Sequence, residues 1–312
     1  MPLSEGPLEL CLTLGLVIGL GLSSTTYVVV LGTVAQVVEP ARRSTAFGII
    51  TAAGSFGTFV LVPLVQWLIA RGGWQEAFPV LAVLVGSVAL LAWGLPSRAP
   101  QREGSTDAEE SLLTALKRAR GHSGYWLLNA GFFVCGFHVA FIATHLESFL
   151  IDGGLAPMVG ATALSLIGLA NICGSSLFGW LGDRYRKKYL LSGLYFGRAL
   201  VISLFLWIPL TDFSALVFGA LIGFLWLATV PLTSGTIAQI FGSRYLSTLY
   251  GIVFFSHQIG SFLGVWLGGR LYDSTGSYDS VWWMAIVLGL FATLIHLPIR
   301  DRPLAIQQLQ TA

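Results

Sequence analysis

GWLGDRYRKK, residues 179–188, places five charged side chains in six positions: Asp183, Arg184, Arg186, Lys187 and Lys188. Apolar runs flank it on both sides. It reads as a short polar turn between two long greasy segments, and the nature of those segments decides the fold. Over all 312 residues, 55% are hydrophobic and 10% charged, with a mean hydropathy of +0.77. A soluble domain carries about 25% charged residues. So few charges cannot cover a water-facing surface, and the solvent this composition suits is lipid.

A membrane helix needs about 20 mostly apolar residues. Nine such segments are predicted: 10–35 (A), 43–70 (B), 75–95 (C), 124–147 (D), 157–181 (E), 189–210 (F), 213–239 (G), 247–269 (H) and 279–299 (I). Turn-forming stretches separate them, among them EPARRS between A and B, RGGWQ between B and C, and DGGLAP between D and E. The long polar stretch 96–123 mixes both charge signs with Pro, Gly and Ser, and is read as a linker between two bundles. SLLTALKRAR within it has the pattern of a short amphipathic helix lying on the membrane. The expected division is a partial bundle over 1–95, the linker over 96–123, a second bundle over 124–300 and a tail over 301–312.

Basic residues concentrate in loops on the cytoplasmic side of a membrane. Fourteen of the 17 Lys and Arg fall in one set of alternating loops: A–B, the linker, E–F, G–H and the tail. The other set holds Arg71 and Arg270, and Arg198 alone lies inside a segment. This bias puts the 179–188 turn and the C-terminus in the cytoplasm. With nine spans, it puts the N-terminus outside. No cleavable leader is expected, because MPLSEGPLEL lacks a basic start and carries Glu5 and Glu9.

The bias explains the lysines and arginines of the opening stretch, but not Asp183 or the glycines one turn earlier. Gly179-Trp-Leu-Gly182-Asp183-Arg184-Tyr185-Arg186-Lys187-Lys188 resembles the signature loop of the major facilitator superfamily, roughly G-x-x-x-D-R-x-G-R-R/K. That loop joins the second and third helices of a six-helix half, and E and F hold those places after the linker. Arg186 departs from the pattern, standing where the family has its second glycine. The resemblance implies an all-α membrane protein, a major facilitator-type bundle whose C-terminal half, D–I, is complete. GLVIGLGLSS in A and ARRSTAFGIITAAGSFGTFVLVPL after it are similar to the fourth and fifth helices of bacterial monocarboxylate-porter-like members. A–C then stand for helices four to six, and the first three helices are expected to be absent through a late start site or a truncated gene. The resemblance also implies a multi-pass protein of the bacterial inner (plasma) membrane. Its implied activity is secondary transport of a small solute by alternating access, coupled to a proton or another ion. It assigns a gating role to Gly179, Gly182, Asp183, Arg184, Lys187 and Lys188.

Ionisable and polar groups inside a span are costly and so mark candidate sites. His138 and His145 on D are seven residues apart and share one face within about 20°; either could carry a proton near neutral pH. The plainer reading is a neutral imidazole bonded to a neighbouring helix. Arg198 in F could grip a carboxylate in a fork, which would suit a small organic anion; pairing with a neighbouring helix is its alternative. Asn171 in E and His257-Gln258 in H are substrate candidates or interhelical hydrogen bonders. Gly260, Gly264 and Gly268 form a stripe for close helix packing. Pro231 is expected to kink G.

Function classes are narrowed by what is missing. A net charge of +2 gives no basis for a nucleic-acid partner. Cys11, Cys135 and Cys173 have no metal-binding spacing and read as buried thiols. There is no HExxH, GxxxxGK[ST] or CxxC, and acids are nearly absent from the spans, so neither an enzyme nor a cofactor or metal is expected. The opposing expectation to transport is a transport-incompetent remnant or membrane interaction protein, because a three-helix partner alone does not close a central cavity.

Overall fold

The computed structural model describes residues 6–24, 26–93 and 111–304, and every regular element in them is a helix. Residues 94–110 and 305–312, the first part of the expected linker and most of the tail, lie outside the described residues.

The second bundle follows the sequence closely. Segment D is α6 (Ser123–Asp152), E is α7 (Pro157–Arg184), F is α8 (Lys187–Trp207), H is α11 (Leu246–Thr275) and I is α12 (Asp279–His296). Their ends carry ordinary signals. α7 starts on Pro157, where a missing N–H costs nothing. α11 stops at Gly276, whose φ of 69° suits the left-handed residue past a helix end. Segment G is two helices, α9 (Asp212–Phe224) and α10 (Thr229–Phe241), broken at Leu225–Ala228. Pro231 is not the kink. It sits in the first turn of α10, where proline is tolerated.

The N-terminal part departs further. Segment A is α1 (Pro7–Cys11), a π-helical stretch Leu12–Ile18, α2 (Gly19–Ser24) and α3 (Tyr27–Val37). B and C run together as α4 (Arg43–Trp93), interrupted at Gly73 with φ 77° and ψ 174°, a conformation open essentially only to glycine. The described residues therefore contain seven helices long and apolar enough to cross a membrane, against nine predicted segments. The difference arises because A is cut into short pieces and B–C counts once. The amphipathic stretch of the linker is α5 (Leu112–Gly121), capped by Ser111 and seated on the bundle by the buried Ala115 and Ala119.

Lipid is as apolar as a leucine core, so helices associate through close packing and hydrogen bonds rather than by escaping water. Two aromatic-rich clusters fill the interior. One gathers Phe47, Tyr125, Phe132, Tyr195 and Tyr250 toward the end bearing the 185–186 turn. The other, toward the opposite end, centres on Trp282, with Phe141 at 4.8 Å and Phe149 at 5.4 Å between ring centroids. The widest helix contacts are α4 with α7, which joins the N-terminal part to the C-terminal bundle, and α6 with α11 within that bundle.

Candidate functional site

Asp183 ends α7 and faces the first turn of α4. Its carboxylate accepts hydrogen bonds from the Ser44 N–H (3.0 Å), the Thr45 N–H (2.9 Å) and the Thr45 hydroxyl (2.7 Å). The first turn of a helix has N–H groups without intrahelical partners and carries the positive end of the helix dipole. A carboxylate supplied from the other bundle satisfies both. The glycines permit the approach: a β-carbon on Gly179 would come within 2.6 Å of the Ser44 carbonyl and 2.9 Å of Gly48 Cα. One on Gly182 would meet Leu232 at 2.7 Å.

The basic residues of the same stretch go elsewhere. The Arg184 guanidinium lies 3.7 Å over the Trp180 ring. Lys187 Nζ donates to Gln239 Oε1 at 2.8 Å, and Lys188 Nζ to the Leu297 carbonyl at 2.8 Å. Arg186 pairs with Asp301 at 2.7 Å. That hydrogen bond, reinforced by the charge of Asp301, pushes the guanidinium pKa above its ordinary value. Between α4 and α10 at this end lies a cleft of about 420 Å³, bordered by Ser44, Asp183, Lys187, Ala238, Gln239 and Pro303.

A second constellation surrounds the break between α9 and α10. Arg198, 1% exposed, donates from Nε and Nη2 to the Leu225 carbonyl (3.1 and 2.8 Å) and from Nη2 to the Trp226 carbonyl. Its Nη1 reaches Cys135 Sγ at 3.5 Å. Asn171, fully buried, accepts from the Leu227 N–H at 2.8 Å and donates to Ser55 on α4 at 2.5 Å. Backbone groups freed where a helix breaks must find partners inside a membrane protein, and these two side chains provide them.

The histidines divide. His138 Nε2 bonds the Ala285 carbonyl of α12 at 2.7 Å, while its Nδ1 is buried without a partner. His145 Nε2 bonds the Val265 carbonyl of α11 at 3.0 Å, nearer the far end. His257 stacks on Phe254 (5.3 Å, 8°) and lies 3.1 Å from Gln258 Oε1. Gln258 itself is exposed. Cys135 touches the Thr229 hydroxyl at 3.1 Å and neighbours His257. The fully buried Tyr250 hydroxyl has no partner.

The family model of the Major Facilitator Superfamily matches residues 4–265. The chain belongs to that superfamily. The uncharacterized MFS-type transporter YcxA of Bacillus subtilis is 28% identical over 281 residues, covering 84% of this chain and 65% of its own. Monocarboxylate transporter 12-B of Danio rerio is 28% identical over 312 residues, covering 88% of this chain and 64% of its own. The chain thus spans just under two thirds of the length of these relatives. In fold it is similar to the E. coli fucose:proton symporter FucP, with a TM-score of 0.65 at 15% identity, covering 86% of this chain and 72% of that one. A second FucP structure, in the outward conformation, gives 0.63 at 16% identity, covering 86% and 71%.

Of the residues singled out in the sequence, the superfamily fold brings Asn171, Arg198, His138 and His257 around the centre of the C-terminal bundle, with His145 and Gln258 outside that group. Gly260, Gly264 and Gly268 lie against α6, meeting Phe133, Phe137 and His145. Ser44, Thr45 and Ser55 on α4, Thr229, Gln239, Tyr250 and Asp301 were not anticipated. Tyr250 and Asp301 carry a signal that could have found them, a hydroxyl in the first turns of an apolar segment and an acid two residues after the last one.

Proposed function

We propose that the chain works in secondary transport of a small organic anion by alternating access, with proton movement as the driving coupling. The observation that carries this reading is the Asp183 contact with Ser44 and Thr45. At one end of the wide α4–α7 contact, it ties two helix groups through polar groups that water can satisfy once they part. Such a contact suits an inner gate that closes and reopens as the groups rock. In this reading Gly179 and Gly182 let the gate close, Asp183 latches it, and Arg184, Lys187 and Lys188 hold the turn on the cytoplasmic side. The basic-residue bias supports a cytoplasmic C-terminus in a bacterial inner membrane, and an external N-terminus for a nine-helix form.

The broken α9–α10 helix supports a substrate region nearby, since transporter sites collect at interrupted helices near the midplane. His257, Thr229, Tyr250 and Cys135 offer polar groups there, and Arg198 contributes positive charge from behind the break. His138, with one free ring nitrogen, is the candidate proton carrier. The name of the monocarboxylate transporter relatives supports a carboxylate as the anion, and that of FucP supports a proton as partner.

The test is uptake by purified protein in liposomes. A panel of short radiolabelled monocarboxylates is offered with and without an inward proton gradient. Gradient-driven accumulation of at least one acid, above protein-free liposomes, is expected. Correctly inserted, monodisperse protein that moves none of them would sink the reading in favour of a transport-incompetent remnant.

A further inference from the structure

The two-residue turn between α7 and α8 has no glycine, and the residue in the family's glycine position, Arg186, makes an ion pair with Asp301. Its partner Asp301 is 4% exposed. The rest of the surrounding chain is tied to the same place. The Asp301 carbonyl accepts from Gln239 Nε2 at 2.7 Å, and Gln239 Oε1 accepts from Lys187 at 2.8 Å. Lys188 donates to the Leu297 carbonyl, fully buried Ile299 anchors the chain between, and Pro303 borders the cleft beside α4.

We infer that residues 297–303 form a strut that positions the 183–188 turn, with Asp301 and Arg186 as its positioning residues. The strut sets the presentation of Asp183 to Ser44 and Thr45. The physical argument is one of leverage. Asp183 must meet two backbone N–H groups and a hydroxyl at once, so its position has to be held within a few tenths of an ångström. Tyr185 and Arg186 join the helices one residue beyond it, and their backbone bonds run back into α7 (Tyr185 N–H to the Leu181 carbonyl, 2.8 Å) or on into α8 (Arg186 carbonyl from the Tyr189 N–H, 3.1 Å), which fixes each side of the turn to its own helix. Three consecutive side chains from the second turn residue onward, 186 to 188, reach the 297–303 segment or Gln239, which is itself bound to it. An exposed ion pair alone contributes little. Here the acid is buried, the contact uses two guanidinium nitrogens (Nη2 at 2.7 Å, Nε at 3.4 Å), and it belongs to a network.

This inference rests on the gating reading above, and one experiment separates their failures. Cys11, Cys135 and Cys173 are replaced by serine, and Ala238→Cys places a reporter thiol in the cleft. An impermeant maleimide is applied to the cleft-side face of membrane vesicles and the labelling rate is measured. Asp301→Asn and Arg186→Gln should each raise the rate about fivefold, equal to about 1 kcal/mol of gate stability. The charge swap Arg186→Asp with Asp301→Arg should return it to within about twofold of the parent. In an Asp183→Asn background, itself faster-labelling, Asp301→Asn should add nothing, since the strut acts through Asp183. Faster labelling by Asp183→Asn but not by Arg186→Gln or Asp301→Asn would overturn the strut and leave the gate standing. Additive effects of Asp301→Asn and Asp183→Asn would also overturn it. Unchanged labelling by Asp183→Asn would overturn both. Arg186 is half exposed, so its variant keeps the test valid if Asp301→Asn fails to fold.

Discussion

Replacing Arg198 by methionine would strand two backbone carbonyls inside the membrane. In the native protein Leu225 and Trp226, just past the end of α9, direct their oxygens at the guanidinium. A buried acceptor left without a donor costs about 1–3 kcal/mol. Two of them, less whatever the broken turn recovers by relaxing, give about 3 kcal/mol. The desolvation of the arginine does not cancel this, because the reference is an inserted helix whose arginine must find carbonyls or snorkel in any case. A loss of that size lowers the melting temperature by roughly 5 °C, taking about 2.1 cal/mol/K of unfolding entropy per residue over 312 residues. The assay is thermal denaturation in detergent, followed by intrinsic tryptophan fluorescence. Arg198→Lys, a point charge in place of a fork, should fall between the two. If Arg198 instead grips substrate, Arg198→Lys would raise KM with an unchanged melting temperature. A methionine variant that melts within about 1 °C of the parent would refute the reasoning, because it would mean that the break needs no cap.

Gly179→Val should hold α7 away from α4, because its side chain would collide with the Ser44 carbonyl and Gly48. Labelling of the Ala238→Cys reporter should then rise at least as much as with Asp183→Asn, while Gly193→Ala, with nothing within 4 Å, should leave it unchanged. Asn171→Leu and Ser55→Ala should show a coupling of about 1 kcal/mol in a double-mutant cycle of thermal stability. Strict additivity would mean that the 2.5 Å contact contributes no stability.

The C-terminal bundle was legible because lipid imposes length and forbids charge, so 20-residue apolar runs and the charge cluster at 183–188 marked its helices and one of its turns. Asp183 could be selected by its oddity in that turn. Its partners could not, since Ser44 and Thr45 precede it by 139 and 138 residues and offer backbone N–H groups that every residue has. Arg198 was equally conspicuous and its role equally hidden. The break it caps falls at Leu-Trp-Leu-Ala, with no glycine or proline, while the nearby Pro231 drew the expectation of a kink. The break at Gly73 was readable from RGG. The cutting of segment A had no such signal, because glycines at 15, 19 and 21 are compatible with a continuous helix as well as a broken one. Asp301 was passed over as the start of a tail, since burial of a residue beyond the last span depends on chain folding back.

The glycine stripe of α11 has a mechanical consequence. At Gly260 and Gly264 backbone lies directly on backbone, and the joint is stitched from side to side: Tyr125 to the Leu249 carbonyl, Ser256 to that of Asn129, Ser261 to that of Gly136, His145 to that of Val265. The α4–α7 joint is also smooth, but it is fastened at two places, Asp183 at one end and Asn171 further along. One seam is sewn along its length and the other is buttoned. Under load, the first pair of helices deforms as a single plank and the second yields first. Of these two joints, the buttoned one is therefore the more compliant.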